Sequence, residues 1–258
     1  MRPNPTSFAD VEKIVGKTPL GPFLINDSLY LISKENGNIA SVSTKSGEVS
    51  TAIEKPTIDG EILAATPVVR RSVLVFITDA GSLYEFDTKE LKIVKQDTVG
   101  EIEKPASMTS YVTNIYTLDA TNGKIYKRLK TSTGYAKRTD YITDSTSVAG
   151  GVGITTDSSI YVLGQDGSIV KYLAGKKQDF SVSNLPFSLT KPTTIFTSEE
   201  LTKLYVTDSS ANRIVVFDNT GKFINQQVSD KFKNINGIFV SANLGYVAAD
   251  GVLYKITL

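Results

Sequence analysis

Six copies of one two-part phrase run through the chain, and a repeat of that kind decides what the chain can fold into. The first part is an apolar residue, a second position that is usually Tyr, two or three apolar or Thr residues, and a polar turn. It reads LYLIS from Leu29, LVFIT from Leu74, IYTLD from Ile115, IYVLG from Ile160, LYVTD from Leu204 and GYVAA from Gly245. The steps are 45, 41, 45, 44 and 41 residues. The second part follows after a short turn: NIASVS from Asn38, SLYEFD from Ser82, KIYKRL from Lys124, SIVKYL from Ser168, RIVVFD from Arg213 and VLYKIT from Val252. A Gly precedes it in five copies (Gly37, Gly81, Gly123, Gly167 and Gly251), and Asn212 stands there in the other. Gly and Asn tolerate the left-handed backbone that tight hairpin turns require.

Each repeat is built from β-branched and aromatic runs of five to eight residues separated by Gly, Asn, Asp and Pro, which is strand patterning. In the fifth repeat the runs are 193–198, 203–208, 213–218 and 222–228. No stretch carries a 3.6-residue apolar period, so almost no helix is expected. Four strands per unit at this spacing predict propeller blades. The expected fold is an all-β, six-bladed antiparallel β-propeller over residues 1–258, a single domain with blades at 19–57, 58–103, 104–144, 145–190, 191–233 and 234–258. The sixth repeat has only three runs, 235–241, 244–249 and 251–258. Residues 7–15, SFADVEKIV, precede the first repeat and read as a strand, expected to be the outer strand of blade six and to tie the two ends together. An unclosed ring would leave a bare sheet edge there.

The fifth repeat, KLYVTDSSANRIVVFDNTGKF from Lys203 to Phe223, resembles an NHL repeat, with Asp208, Asn212, Arg213, Ile214, Phe217, Asp218, Gly221 and Phe223 on the pattern. One blade carries the resemblance. Blade three keeps Asp119 but has Gly123–Lys124 where Asn–Arg would stand, and blade four has Gly164 and Gly167–Ser168. The resemblance implies a six-bladed ring and a binding module for protein or RNA, with Asp208 and Arg213 as a structural ion pair inside the blade. Related six-bladed folds include enzymes, among them lactonases and hydrolases that hold a metal with converging Glu, Asn and Asp side chains, often beside a His.

Composition narrows the chemistry. The chain has no His and no Cys. A Ser-His-Asp triad, an imidazole base and a His- or Cys-bound metal are therefore excluded. Lys plus Arg is 28 against 27 for Asp plus Glu, so no bulk charge draws the chain to nucleic acid or anionic lipid. The longest apolar run, Val73 to Ile77, is far short of the roughly 20 residues of a membrane-spanning helix.

The innermost strands line the axis of such a ring. They are read at 21–26, 61–69, 105–112, 146–155, 192–198 and 235–241, where the one carboxylate is Glu61 and the amides are Asn26 and Asn236. Glu61, Asp144 and Asn236 are the nearest approach to a metal site, and they carry the alternative reading of a metal-dependent, lactonase-like hydrolase. Acidic residues in the turns, such as Asp79 and Asp166, read as turn chemistry. A basic cluster, Lys124, Lys127, Arg128, Lys130, Lys137 and Arg138, is interleaved with Tyr126 and Tyr135. It carries a second alternative, an RNA-binding strip.

The main expectation is a non-catalytic interaction or docking platform, a monomer without cofactor, whose loops bind a protein, peptide or glycan. Ser and Thr supply 25 and 28 of the 258 residues. With the absence of Cys, that composition suggests an extracytoplasmic module, a sensor or docking ectodomain of a longer membrane-anchored protein.

Overall fold

In the computed structural model, which describes residues 5–258, six four-stranded antiparallel sheets stand around one axis. The inner strands are Leu20–Ile25, Ile62–Val68, Ser107–Tyr111, Gly151–Thr156, Pro192–Phe196 and Ile235–Ser241. Each touches the inner strand of the next blade, and that of blade six touches that of blade one, so the ring is closed. The chain is a six-bladed β-propeller.

The repeated phrases are the second and third strands of each blade. Second strands are sandwiched between neighbouring blades, so both of their faces are covered. Val73–Thr78 is buried at all six positions. This is why these strands read as continuous apolar runs rather than as alternating ones. The recurrent Tyr is buried in every blade that has it: Tyr30, Tyr116, Tyr161, Tyr205 and Tyr246. The core is therefore distributed as clusters between blades. Ile25, Ile32, Leu74, Phe76 and Phe86 join blades one and two. Val15, Leu31, Val42 and Leu253 join blades six and one. Each such side chain contributes about 1.5–3 kcal/mol when fully buried.

The turn before each third strand is left-handed, with φ of 79° at Gly81, 85° at Gly167 and 50° at Asn212. A β-branched residue is strained there. At Gly167 a Cβ would also stand 2.9 Å from the Leu189 Cβ, whereas the nearest atom at Gly81 is 4.0 Å away. Gly167→Val is accordingly expected to lower the urea midpoint more than Gly81→Val, and both more than a Val placed at an exposed strand position. Equal midpoints for the two Gly variants would show that crowding against Leu189 adds nothing.

The N-terminal segment closes blade six as expected, but over a shorter span than 7–15. Thr6–Asp10 pairs antiparallel with the last strand, Val252–Thr257. Residues Glu12–Val15 form one helical turn instead of continuing the strand. The Val11 amide still bonds the Gly251 carbonyl at 2.9 Å, and the next amide, of Glu12, bonds the Asp10 side chain at 3.1 Å. A strand would turn residues 11, 13 and 15 to one face and bury Lys13 with its neighbours. The helical turn buries Val11 and Val15 and leaves Lys13 in water. Two 3-10 turns, Val69–Arg71 and Ser209–Ala211, are the other helical pieces among the described residues.

Candidate functional site

The six inner strands enclose an axial cavity of about 360 Å³, within the size range of small-molecule sites. Its two ends differ. Where the inner strands begin, the backbones are drawn tightly together. Gly237 lies so close to the Gly21 carbonyl that a Cβ would collide with it. The Asn236 amide donates to the Pro19 carbonyl, and the Thr193 hydroxyl donates to the Ile235 carbonyl at 3.2 Å. The Asn236 Oδ1 is buried there with no hydrogen-bond partner among the described residues.

Where the inner strands end, the cavity carries its charged groups. Arg70 follows strand Ile62–Val68 on the 3-10 turn, Tyr111 ends strand Ser107–Tyr111, and Glu199 follows strand Pro192–Phe196. Blades two, three and five thus each deliver one polar group to the same rim. Arg70 and Glu199 are exposed and Tyr111 is half-buried. Among the described residues neither Arg70 nor Glu199 makes an ion pair. The neighbouring Arg71 is engaged: it donates to Glu85 (2.7 Å for Nη2) and reaches the Tyr135 hydroxyl. Arg71 thereby pins the turn that presents Arg70. Tyr111 faces Glu199, and that carboxylate pushes the phenol above its ordinary value, against a smaller opposing effect from Arg70.

The wall mixes aromatic, aliphatic and hydroxyl side chains. Blades five, six and one contribute Phe196, Phe239 and Phe23, the first two edge-to-face with centroids 5.2 Å apart. Blades two to five contribute hydroxyls, among them Thr66, Thr109, Thr156 and Thr194.

The structure does not bring Glu61, Asp144 and Asn236 together. The Glu61 amide donates to Asp79 at 2.9 Å, and its side chain is not part of the cavity wall. Asp144 accepts from the amides of Lys177 (2.9 Å) and Thr146 (3.0 Å), which hold its carboxyl below the ordinary range. Only Asn236 lines the cavity. A hard cation takes six to eight oxygens, largely carboxylate. The cavity offers one carboxylate, one amide and scattered hydroxyls with a guanidinium on the rim, and among the described residues no three acidic side chains gather anywhere. That donor set does not fit a metal.

Asp208 and Arg213 stand inside blade five, with Nη2 2.7 Å and Nε 3.0 Å from Oδ2. Arg213 also donates to the Ser188 carbonyl at 2.7 Å and lies 3.8 Å above the Phe187 ring. Both side chains are buried and far from solvent-facing roles.

The basic cluster does not form one exposed strip. Arg128 is 1% exposed and Glu103 0%, paired at 3.1 Å, with further guanidinium bonds to the carbonyls of Val99, Glu101 and Ala136. Arg138 covers the Tyr126 ring at 4.3 Å and reaches Glu103 at 3.5 Å. Lys124 pairs with Asp140 at 2.8 Å, and Lys130 with Gln96 at 2.9 Å. Lys127 lies over the Tyr116 ring, and Lys137 is exposed. Most of the positive charge is thus spent inside blade three and its junction with blade two.

Arg70, Tyr111 and Glu199 were missed by sequence reasoning. Arg70 and Glu199 each fall one residue beyond an inner segment as read, and Tyr111 was inside one but not singled out. The signal that would have found them is position: the turn after an inner strand is where a side chain can lean over the axis.

No family model matches the chain, and no curated protein sequence matches it. Solved structures do. A streptogramin B lyase superposes with a TM-score of 0.67 at 18% identity, covering 100% of this chain and 97% of its own. A gluconolactonase from Xanthomonas campestris has a TM-score of 0.69 at 11% identity, covering 100% and 95%. An auxiliary nutrient-binding protein from Bacteroides thetaiotaomicron has a TM-score of 0.66 at 12% identity, covering 94% and 69%. At these identities the likeness is one of fold. It overturns the expectation of a chain without enzymatic activity, because a lyase and a lactonase are built on this same ring.

Proposed function

We propose that this protein is an enzyme-type propeller that carries out acid–base chemistry on a small organic molecule held in the axial cavity. Glu199 is the base, Tyr111 the acid, and Arg70 the cation that faces developing negative charge. The observation that carries this reading is the rim itself: three blades each place one such group over one cavity.

The roles follow from the groups. With no His or Cys in the chain, proton transfer falls to carboxylate, phenol or amine. Tyr111, pushed above its ordinary value of about 10 by Glu199, keeps its proton at neutral pH and so serves as a donor. Glu199 accepts a proton from substrate. Arg70 holds the oxygens of the enolate left behind, a role open to a guanidinium that pairs with no carboxylate among the described residues. As the bond to the leaving group breaks, Tyr111 protonates that group and is reprotonated by Glu199, which it faces, so the chemistry is an elimination, that of a lyase, and no step runs through a metal.

The test is mass-spectrometric profiling of a small-molecule extract incubated with wild-type protein, Glu199→Gln and Tyr111→Phe. Wild-type protein is expected to consume or produce features that Glu199→Gln changes at least about 100-fold more slowly, the usual range for a lost acid–base group. Tyr111→Phe should be impaired as well. Both positions are solvent-accessible, so the variants' melting temperatures should match wild type. Indistinguishable profiles for wild type and Glu199→Gln would sink the proposal.

A further inference from the structure

We infer that the ligand of the axial cavity is an amphipathic monocarboxylate, with an apolar ring in the cavity and its carboxylate on Arg70 at the rim. The inference rests on the axial site described above and adds its ligand class. Three independent features of the site lead to it.

The first is the set of aromatic rings in the wall. Phe23, Phe196 and Phe239 come from three consecutive blades and give that side of the cavity three aromatic rings, two of them edge to face. Aromatic faces and edges of this kind favour a ring over a flexible chain of equal area, because rings meet them at 4.5–7 Å with little entropy to lose. The rest of the wall mixes aliphatic side chains such as Leu63 and Met108 with Thr hydroxyls, which tolerate ring substituents but do not demand charge.

The second is the contrast between two adjacent arginines. Arg71 has its carboxylate, Glu85, and a phenol, Tyr135. Arg70, on the same turn, has no carboxylate among the described residues, and it lines the cavity. A planar guanidinium fork matches a carboxylate bidentately. The turn is held by Arg71, so Arg70 extends over the cavity from an anchored backbone position.

The third is the position of Glu199. It stands on blade five, across the ring from Arg70 on blade two. A second negative charge on the ligand would meet it, so a monoanion fits and a dianion does not. The same geometry fixes the direction of entry: the ring goes in first and the carboxylate stays at the wet rim, where it keeps part of its hydration.

Isothermal titration with three probes tests this: 3-phenylpropionate, its methyl ester and propionate. The acid is expected to bind at least tenfold more tightly than either the ester, which lacks the charge, or propionate, which lacks the ring. Arg70→Gln should bring the acid down to the level of the ester and leave the ester unchanged. Phe196→Ala should weaken acid and ester alike. Arg70 is exposed, so its replacement should not disturb folding, and unchanged melting temperatures would verify that. Equal binding of acid and ester by wild type, an Arg70→Gln variant that still prefers the acid, or no detectable binding of the acid would each overturn the ligand class. If that happened while Glu199-dependent turnover persisted, the carboxylate assignment alone would fall. If turnover failed while acid binding stood, the catalytic reading would fall and the ligand class would remain.

Discussion

Deleting residues 1–16 will remove on the order of 5 kcal/mol or more, comparable to the whole stability of a typical domain. The segment does two things at once. As a strand, Thr6–Asp10 covers the edge of Val252–Thr257. As a helical turn, Glu12–Val15 covers the end of the seam between blades six and one. Ala9, Val11 and Val15 are buried in one cluster with Leu29, Leu31, Val42, Tyr246 and Leu253, and Phe8 packs against it. Losing two buried Val side chains forfeits about 1.5–3 kcal/mol each. Opening the seam exposes the residues they cover, and the bared edge invites association with a second chain. Urea denaturation with light scattering is the measurement. The expected result is a far lower midpoint, or no cooperative transition, together with aggregation. A midpoint within a few tenths molar of wild type would mean that the ring holds without its N-terminal segment.

The fold was legible because its period is long-range and redundant. Six copies of the second- and third-strand phrase, each separated by Gly or Asn at a left-handed turn, leave little freedom. The second strands are buried on both faces, so their part of the phrase is a nearly continuous apolar run, and such a run stands out. What the sequence did not show is how an element ends. Val11 and Val15 suit a strand face as well as a helical turn, and only the burial of Lys13 that a strand would require decides between them. Two of the outer strands are equally faint. Thr139–Asp140 and Lys176–Lys177 are two residues each, too short to leave a pattern.

The site was less legible, for a related reason. Arg128 reads as one more exposed base in a basic run, yet it is the largest fully buried side chain. Its partners, Glu103 and three carbonyls, lie 8–29 residues away in sequence. Charge counted along the chain carries no information about such pairing. Conversely, Arg70 stands beside Arg71 and looks identical to it. Only the fold tells the arginine that is spent on Glu85 from the one that is left over the cavity. Asn236 was found because it lies within an inner strand. Tyr111 and Glu199 belong to the rim, which exists only once six strand ends have been brought to one axis.

Asp208→Asn is expected to cost about 3 kcal/mol at neutral pH and considerably less in acid. Asp208 is wholly buried. Burial opposes its ionisation, but the Lys191 amide at 2.8 Å, the Arg213 guanidinium and the Thr190 amide outweigh that and hold the carboxyl below its ordinary range. Replacing the carboxylate by an amide keeps the shape but leaves Arg213, itself 9% exposed, as a buried cation with only the Ser188 carbonyl, Gln226 and the Phe187 face to answer it. Stranding one member of a buried pair costs about 3–5 kcal/mol. The pH dependence has a definite sign. A carboxyl whose folded value lies below its unfolded value of about 3.9 stabilises the native state fully above that value, and the contribution is lost as pH falls through the lower, folded value. Asn does not titrate, so the gap between wild type and variant should be widest from about pH 5 to 7 and shrink below about pH 4. Urea denaturation of both proteins at pH 7 and pH 3 measures it. A gap that stays constant between the two would assign the loss to hydrogen-bond geometry at Lys191 and Thr190 rather than to charge. A gap under about 1 kcal/mol at neutral pH would mean that blade five holds together without its ion pair.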